Sequence, residues 1–342
     1  MKLKRSLASN LLLVMVSLVV GAVAMEAAAQ VYAAQIARMG KLFAPHAEYG
    51  WLPLAGLDLV RRNSDGGMWH VVTDQEGIRG PAAWQPGRDV HLLVLGDSFA
   101  FGEGVDLDER FDTLLQERFA NLSVINLGVM GYGPDQELIR ARRWTGDLRA
   151  GDIVLLLTYG NDFLDLARTT HSGRSKPWLE RQGGVLIEHR PDIGLIERLR
   201  DRSYIFSLAA RRFNTDLSGT FDARLEDSGA LYRDWVLQET RPLLERGVRV
   251  VLAHHGDQVF ELPFDVAAMF AEVCPALTGC LALDPASALR PRDEIFFNDG
   301  HWEAGGHRLA AEQIGDWLLT LDPIGPRLEP EEGAANIARS EP

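Results

Sequence analysis

The sequence predicts an α/β fold, a three-layer α/β/α sandwich around a mainly parallel central sheet. Four short runs, "VHLLVLG" (90–96), "SVINLG" (123–128), "DIVLLLTYG" (152–160) and "VRVVLAHH" (248–255), are apolar on both faces, as strands covered by helices must be. "DERFDTLLQERFA" (108–120) and "DQELIRARRWTG" (135–146) separate the first three runs and carry apolar residues at helical spacing. Strand and helix therefore alternate, which calls for right-handed crossovers. "YRDWVLQETRPLLERG" (232–247) is the crossover helix before the fourth run, and "RLAAEQIGDWLL" (308–319) is a last helix.

The flanking segments follow from composition. At 342 residues, 46% hydrophobic and 24% charged, the chain can bury one large core plus an appendage. A formal charge of -13 excludes a nucleic-acid partner, which needs a concentrated basic surface. Lys2, Lys4 and Arg5 precede the uncharged "LLLVMVSLVVGAVAM" (11–25), so residues 1–30 read as a signal peptide or signal anchor. Ser6 to Met25 is 20 residues without a charge, enough to span a bilayer with the basic end cytoplasmic and the bulk exported. An uncleaved anchor is favoured over cleavage near "AVA" (22–24) or "AAA" (27–29), which would leave a secreted protein.

Residues 31–85 form an N-terminal extension; residues 26–68 carry no sustained pattern, and "WHVVTDQEGIRG" (69–80) reads as a short strand and a glycine turn. The α/β domain covers 86–322, with an insertion at about 165–230. That insertion holds "KPWLERQGGVLIEHR" (176–190), a hairpin turning at Gly183-Gly184, and "IGLIERLRDRSYIFSLAARRF" (193–213), one amphipathic helix. The Pro-, Glu- and Gly-rich residues 323–342 read as a disordered tail. Cys274 and Cys280 are six positions apart and can close a small disulfide loop in an oxidising compartment; two partly buried thiols are the alternative. Neither sits in a zinc spacing, and no nucleotide-binding fingerprint occurs, so no cofactor or metal is expected.

Chemistry in open α/β sheets gathers outside the carboxyl ends of the strands. The first run ends in Gly96-Asp97-Ser98, the second in "NLGVMGYG" (126–133) and the third in "YGND" (159–162); "FFNDGHWEAGGH" (296–307) brings a carboxylate and an imidazole to the same edge. An ester-cleaving serine needs a base, a group to orient that base, and oxyanion donors. Ser98 is the candidate nucleophile, His301 the base and Asp299 the orienting acid. The backbone amides of Ser98 and Gly131 and the side chain of Asn161 are the candidate oxyanion donors. Asp97 reads as structural, satisfying turn amides, and His307 as a surface or packing residue. His254 and His255 point to opposite faces of a strand, which disfavours a metal site. The G-x-S-x-G elbow is missing, because position 100 is Ala.

Taken together, these blocks resemble the SGNH (GDSL-type) hydrolase superfamily: Gly-Asp-Ser at 96–98, Asn-x-Gly-x-x-Gly at 126–131, Gly160-Asn161-Asp162, and the Asp/His loop at 299–301. The likeness runs over about 69–320. It implies a flavodoxin-like three-layer fold, with Ser98, His301 and Asp299 as triad and Ser98, Gly131 and Asn161 as oxyanion hole. Many members space the acid as D-x-x-H, which would select Asn298; the D-x-H spacing here, followed by Trp302, is similar to an exported, membrane-associated branch that includes polysaccharide O-acetyltransferases. Glu303 stands where that branch often has Asn. The resemblance implies a serine esterase acting on a small-molecule or carbohydrate O-acyl ester. A polysaccharide O-acetyltransferase using the same triad and a non-catalytic envelope scaffold are the alternatives.

Overall fold

A computed structural model describes residues 2–33, 41–211, 221–255, 261–283, 294–322 and 324–331. In chain order the elements begin with the long apolar helix α1 (Lys2–Val31) and two antiparallel hairpins, β1 (Phe43–His46) with β2 (Gly50–Pro53) and β3 (Asp58–Arg62) with β4 (Met68–Val72). Next come β5 (Val90–Leu95), the single-turn α2 (Ser98–Phe101), α3 (Phe111–Arg118), β6 (Leu122–Asn126), α4 (Pro134–Thr145), β7 (Ile153–Thr158) and α5 (Asn161–Ala167). A two-residue hairpin, β8 (Thr170–His171) with β9 (Arg174–Ser175), leads to the hairpin β10 (Trp178–Gln182) with β11 (Val185–His189). The chain then passes through α6 (Leu195–Arg202), α7 (Tyr204–Arg211), α8 (Phe221–Glu245), β12 (Arg249–His255), α9 (Val266–Val273), β13 (Gly279–Leu283) and α10 (Ala304–Thr320).

The central sheet has the order β13-β12-β7-β5-β6, and each of its pairings is parallel. Every side chain of β5, β6 and β7 is buried, which is why their sequences are mostly apolar rather than alternating. The two-residue period then sorts them by face. Leu93 and Leu95 pack in a core with Leu138 and Ile139 of α4, Trp235 and Val236 of α8, and Phe270 of α9. Leu92 and Val94 pack in the other, with Phe111 and Leu115 of α3 and Ile314 and Leu318 of α10. The four apolar runs are β5, β6, β7 and β12 of the expected three-layer architecture; β13 is a fifth strand, at the edge opposite β6.

Three expectations are corrected. The stretch up to residue 68, expected to lack a pattern, is structured from 41 on: both hairpins begin there and its aromatics enter the main core. Trp51 donates to the Met130 carbonyl at 3.2 Å, Tyr132 donates to the Trp51 carbonyl at 2.5 Å, and Gln136 donates to that of Tyr49 at 2.8 Å. Strands of four or five residues are too short to print a periodic signal. The single helix over 193–213 is two, α6 and α7, broken at Ser203, whose backbone turns extended (φ -125°, ψ 118°) and whose hydroxyl accepts from the Phe206 amide at 3.0 Å. Residues 324–331 of the expected tail are packed: Ile324 and Leu328 are buried, and Ala120 donates to the Glu329 carbonyl at 2.8 Å. The rest of that tail, 332–342, lies outside the described residues. The hairpin at 176–190 has the expected turn, with Gln182 paired to Val185 across Gly183-Gly184. Cys274 and Cys280 are joined in a disulfide between α9 and β13.

Candidate active site

In this strand order the connections reverse between β5 and β7, and such a switch point sets a crevice at the carboxyl ends of the two strands. Ser98 begins the helix that follows β5, and Asn161 begins the helix that follows β7, so both stand at that crevice. Asp97 is the N-cap of α2, its Oδ1 accepting from the Phe99 amide at 2.9 Å, so the cap is the residue before Ser98 and the serine hydroxyl has other work. Ser98 is 7% exposed, at the floor of the crevice.

His301 arrives from the opposite end of the sequence. Its Nε2 is 2.8 Å from Ser98 Oγ. Asp299 Oδ1 accepts the backbone amide of His301 at 3.1 Å and lies 3.1 Å from the same residue's Nδ1, off the direction of its N–H. The D-x-H spacing produces this: one carboxylate oxygen reaches both amide and ring of a residue two positions on. The loop is pinned outside itself by the β3–β4 turn, where Asp65 Oδ1 accepts from the Asn298 amide at 2.9 Å. Behind it, Trp302 is buried against Phe99 and Phe111. His307 is buried rather than at the surface; its ring accepts from the Phe111 amide at 3.4 Å, and burial holds it well below the usual imidazole range.

The oxyanion candidates differ from one another. The Ser98 amide opens a helix, where no intrahelical acceptor exists. Gly131 lies in a turn with φ +76°, and a Cβ there would meet the His171 ring at 2.7 Å, so only glycine suits the position. Gly128 is equally constrained, for a Cβ would stand 2.6 Å from Ala100 Cβ and the Phe101 amide; the "NLG" turn thus rides directly on α2. Asn126 fixes that turn, donating to the Ala100 carbonyl at 2.7 Å and accepting from the Gly128 amide at 2.8 Å. Asn161 is at the crevice, but its side-chain amide donates to Asp97 Oδ2 at 2.7 Å and reaches Asp165 Oδ2 at 3.4 Å. His254 is remote in role, stacked on Phe270 at 4.1 Å. The side chain of His255 lies outside the described residues.

Sequence reasoning missed Glu103. Its Oε2 is 3.4 Å from His301 Nε2, the nitrogen that faces Ser98. The backbone that carries it is held by buried Arg79, which donates to the carbonyls of Phe101, Gly102 and Val105 at 3.0, 2.7 and 2.5 Å. Burial, with Arg110 nearby, brings the Arg79 guanidinium down to about 9. No spacing rule marks Glu103, because its approach depends on the left-handed Gly102 that ends α2.

These charges set the protonation of the site. Burial resists a charged His301, but the Asp299 carboxylate and the charges of Glu103 and Asp97 outweigh it and raise the imidazole above its ordinary range. Burial raises Glu103, with His301 and Arg61 pulling against it. Burial also raises Asp97, against the Asn161 and Phe99 hydrogen bonds. Contact with His301 lowers Asp299 in spite of its partial burial. Among the described residues, no group of three or more His, Cys, Asp or Glu is placed to hold a metal ion.

No family model and no curated protein matches the sequence. Solved structures do. One is a member of the lipolytic G-D-S-L family from Veillonella parvula DSM 2008, at 13% identity and TM-score 0.40, covering 68% of this chain and 100% of that one. A second is a carbohydrate esterase family 2 enzyme with a carbohydrate-binding domain from Corynascus thermopiles, at 14% identity and TM-score 0.38, covering 75% and 73%. A third is an acetylxylan esterase from Geobacillus stearothermophilus, at 17% identity and TM-score 0.35, covering 67% of this chain and 93% of that one.

Proposed function

We propose that this chain is a serine ester hydrolase of the SGNH type, exported and held at the membrane by α1, acting on an O-acyl (acetyl) ester of an envelope or exported carbohydrate. The observation that carries the reading is the contact between Ser98 Oγ and His301 Nε2 at 2.8 Å, with the Asp299 carboxylate beside the other ring nitrogen. In this reading Ser98 Oγ attacks the acyl carbon while its proton passes to His301 Nε2. Asp299 stabilises the imidazolium that forms. The carbonyl oxygen becomes an oxyanion facing the amides of Ser98 and Gly131. Asn161 joins them by turning the N–H that has the long contact to Asp165, while its other N–H stays on Asp97. His301 then protonates the departing alcohol, and water, deprotonated by His301, releases the acyl group from Ser98.

Support for export comes from α1, where Ser9–Val31 holds an 18-residue window of mean hydropathy 2.4 with none of its residues buried. Ser98→Ala tests the nucleophile. Hydrolysis of p-nitrophenyl acetate should fall by roughly 10³-fold or more, and fluorophosphonate labelling should vanish. Unchanged turnover in that variant would overturn the assignment. Acetylated product appearing on an added glycan, with acyl release accelerated, would assign the acyl group to a sugar acceptor instead of water.

A further inference from the structure

We infer that α6 and α7 form an in-plane docking surface for the outer face of the bilayer that α1 crosses, so that the catalytic body lies against the membrane instead of swinging from a tether. This rests on the reading of α1 as a membrane anchor.

The orientation of α6 is inverted for a helix on a soluble protein, which buries its apolar stripe. Here Glu197 is the buried side chain, accepting from the Ser175 amide at 3.2 Å, and Arg200 donates to the Gly173 carbonyl at 2.7 Å. The polar side therefore faces the protein. Leu195 and Ile196 are 73% and 66% exposed, and Leu199 beside them is exposed too. On α7, Ile205, Phe206 and Leu208 are exposed as well. Outside α1, six of the twelve large hydrophobic side chains exposed among the described residues fall within these two helices. Such a concentration marks an interaction surface, whereas scattered exposed apolar residues do not.

The occupant follows from α1. The uncharged run from Ser6 to Met25 rises about 30 Å as a helix, the thickness of a hydrocarbon core, which puts Glu26 at its outer boundary. Glu26 is also where α1 grips the body. Its carboxylate accepts from the Tyr204 and Ile205 amides at 2.5 and 3.2 Å and from the Ser203 hydroxyl at 2.8 Å, capping α7. The start of α7 is thus fixed at the depth where the chain leaves the bilayer. Exposed Arg198 and Arg202 flank the apolar stripe of α6, as expected where a helix meets anionic headgroups.

The test uses the full chain in vesicles of phosphatidylethanolamine and phosphatidylglycerol. A single cysteine carrying an environment-sensitive fluorophore is placed by Ile196→Cys, Leu208→Cys, Leu18→Cys or Leu319→Cys, and bromine-labelled lipid acyl chains serve as quencher. Labels at 18, 196 and 208 should lose most of their emission, and the label at 319, on the α10 side of the sheet, should keep it. Quenching at 18 without quenching at 196 and 208 overturns the docking surface and leaves the anchor standing. Absence of quenching at 18 overturns both. Blue-shifted but unquenched labels at 196 and 208 would mean that a second copy of the chain covers the face, which also overturns the inference. None of these readouts depends on catalysis, so failure of the esterase reading is separately visible in the Ser98→Ala assay.

Discussion

At the residue scale the site is a question of which groups share one imidazole. His301 Nε2 faces both Ser98 Oγ and the Glu103 carboxylate, while Nδ1 faces Asp299. A base must be neutral to accept the serine proton, so activity should rise with pH as His301 deprotonates. Its raised pKa places that acid limb above the ordinary imidazole range. The Glu103 charge contributes to the rise, so Glu103→Gln should move the limb of kcat/KM to lower pH, read from pH profiles on a soluble ester. An unmoved limb would show that the carboxylate is not felt at the ring. The serine, histidine, aspartate and glycine candidates were legible because each sits in a short local motif. Glu103 was not, because its position depends on buried Arg79 holding the backbone that follows α2.

Among the elements, turns and short connections do the positioning. Ser98, Gly131 and Asn161 follow three neighbouring parallel strands, so the register of β5, β6 and β7 sets all three beyond the carboxyl edge of one sheet. Among the described residues the Asp/His loop has no such strand beside it in sequence; the β3–β4 turn and Trp302 hold it. Cys274–Cys280 acts on the edge strand, tying the end of α9 to β13 across a six-position loop. Closing so short a loop removes limited entropy from the unfolded chain, about 2 kcal/mol. Replacing both cysteines by serine should lower stability by about that amount in chemical denaturation while leaving ester hydrolysis intact. A loss of hydrolysis at full stability would instead tie β13 to the site.

Across the whole molecule, acidic groups accumulate beneath the crevice. Glu137 and Asp162 are pushed well above the carboxylate range, first by burial and then by each other's surroundings, including Asp97 and Asp165. Lys176, fully buried, is paired with Asp135, and Arg168 with Asp165. The fold therefore holds protons that the unfolded chain gives up in the ordinary carboxylate range. Stability from these groups is complete below that range and is lost as pH rises through the raised folded values. Urea midpoints should fall from weakly acid to alkaline pH, and Glu137→Gln, which cannot ionise, should flatten that fall. An equal slope in the variant would place the proton elsewhere.

The sequence by itself determined the alternation of buried strands and helices, the hairpin at Gly183-Gly184, the uncharged run near the N-terminus and the chemistry offered at each strand end. These depend on local periodicity and on turn residues, which a chain displays without knowing its neighbours. Only the tertiary structure decided that Ser98 and His301 meet at 2.8 Å, that Asn161 donates to Asp97, and that Glu103 stands at the same imidazole. It likewise decided that residues 41–85 belong to the body and that α6 turns its apolar side outward. Such outcomes depend on contacts between residues as much as 233 positions apart, where burial and charge, not propensity, choose the partner.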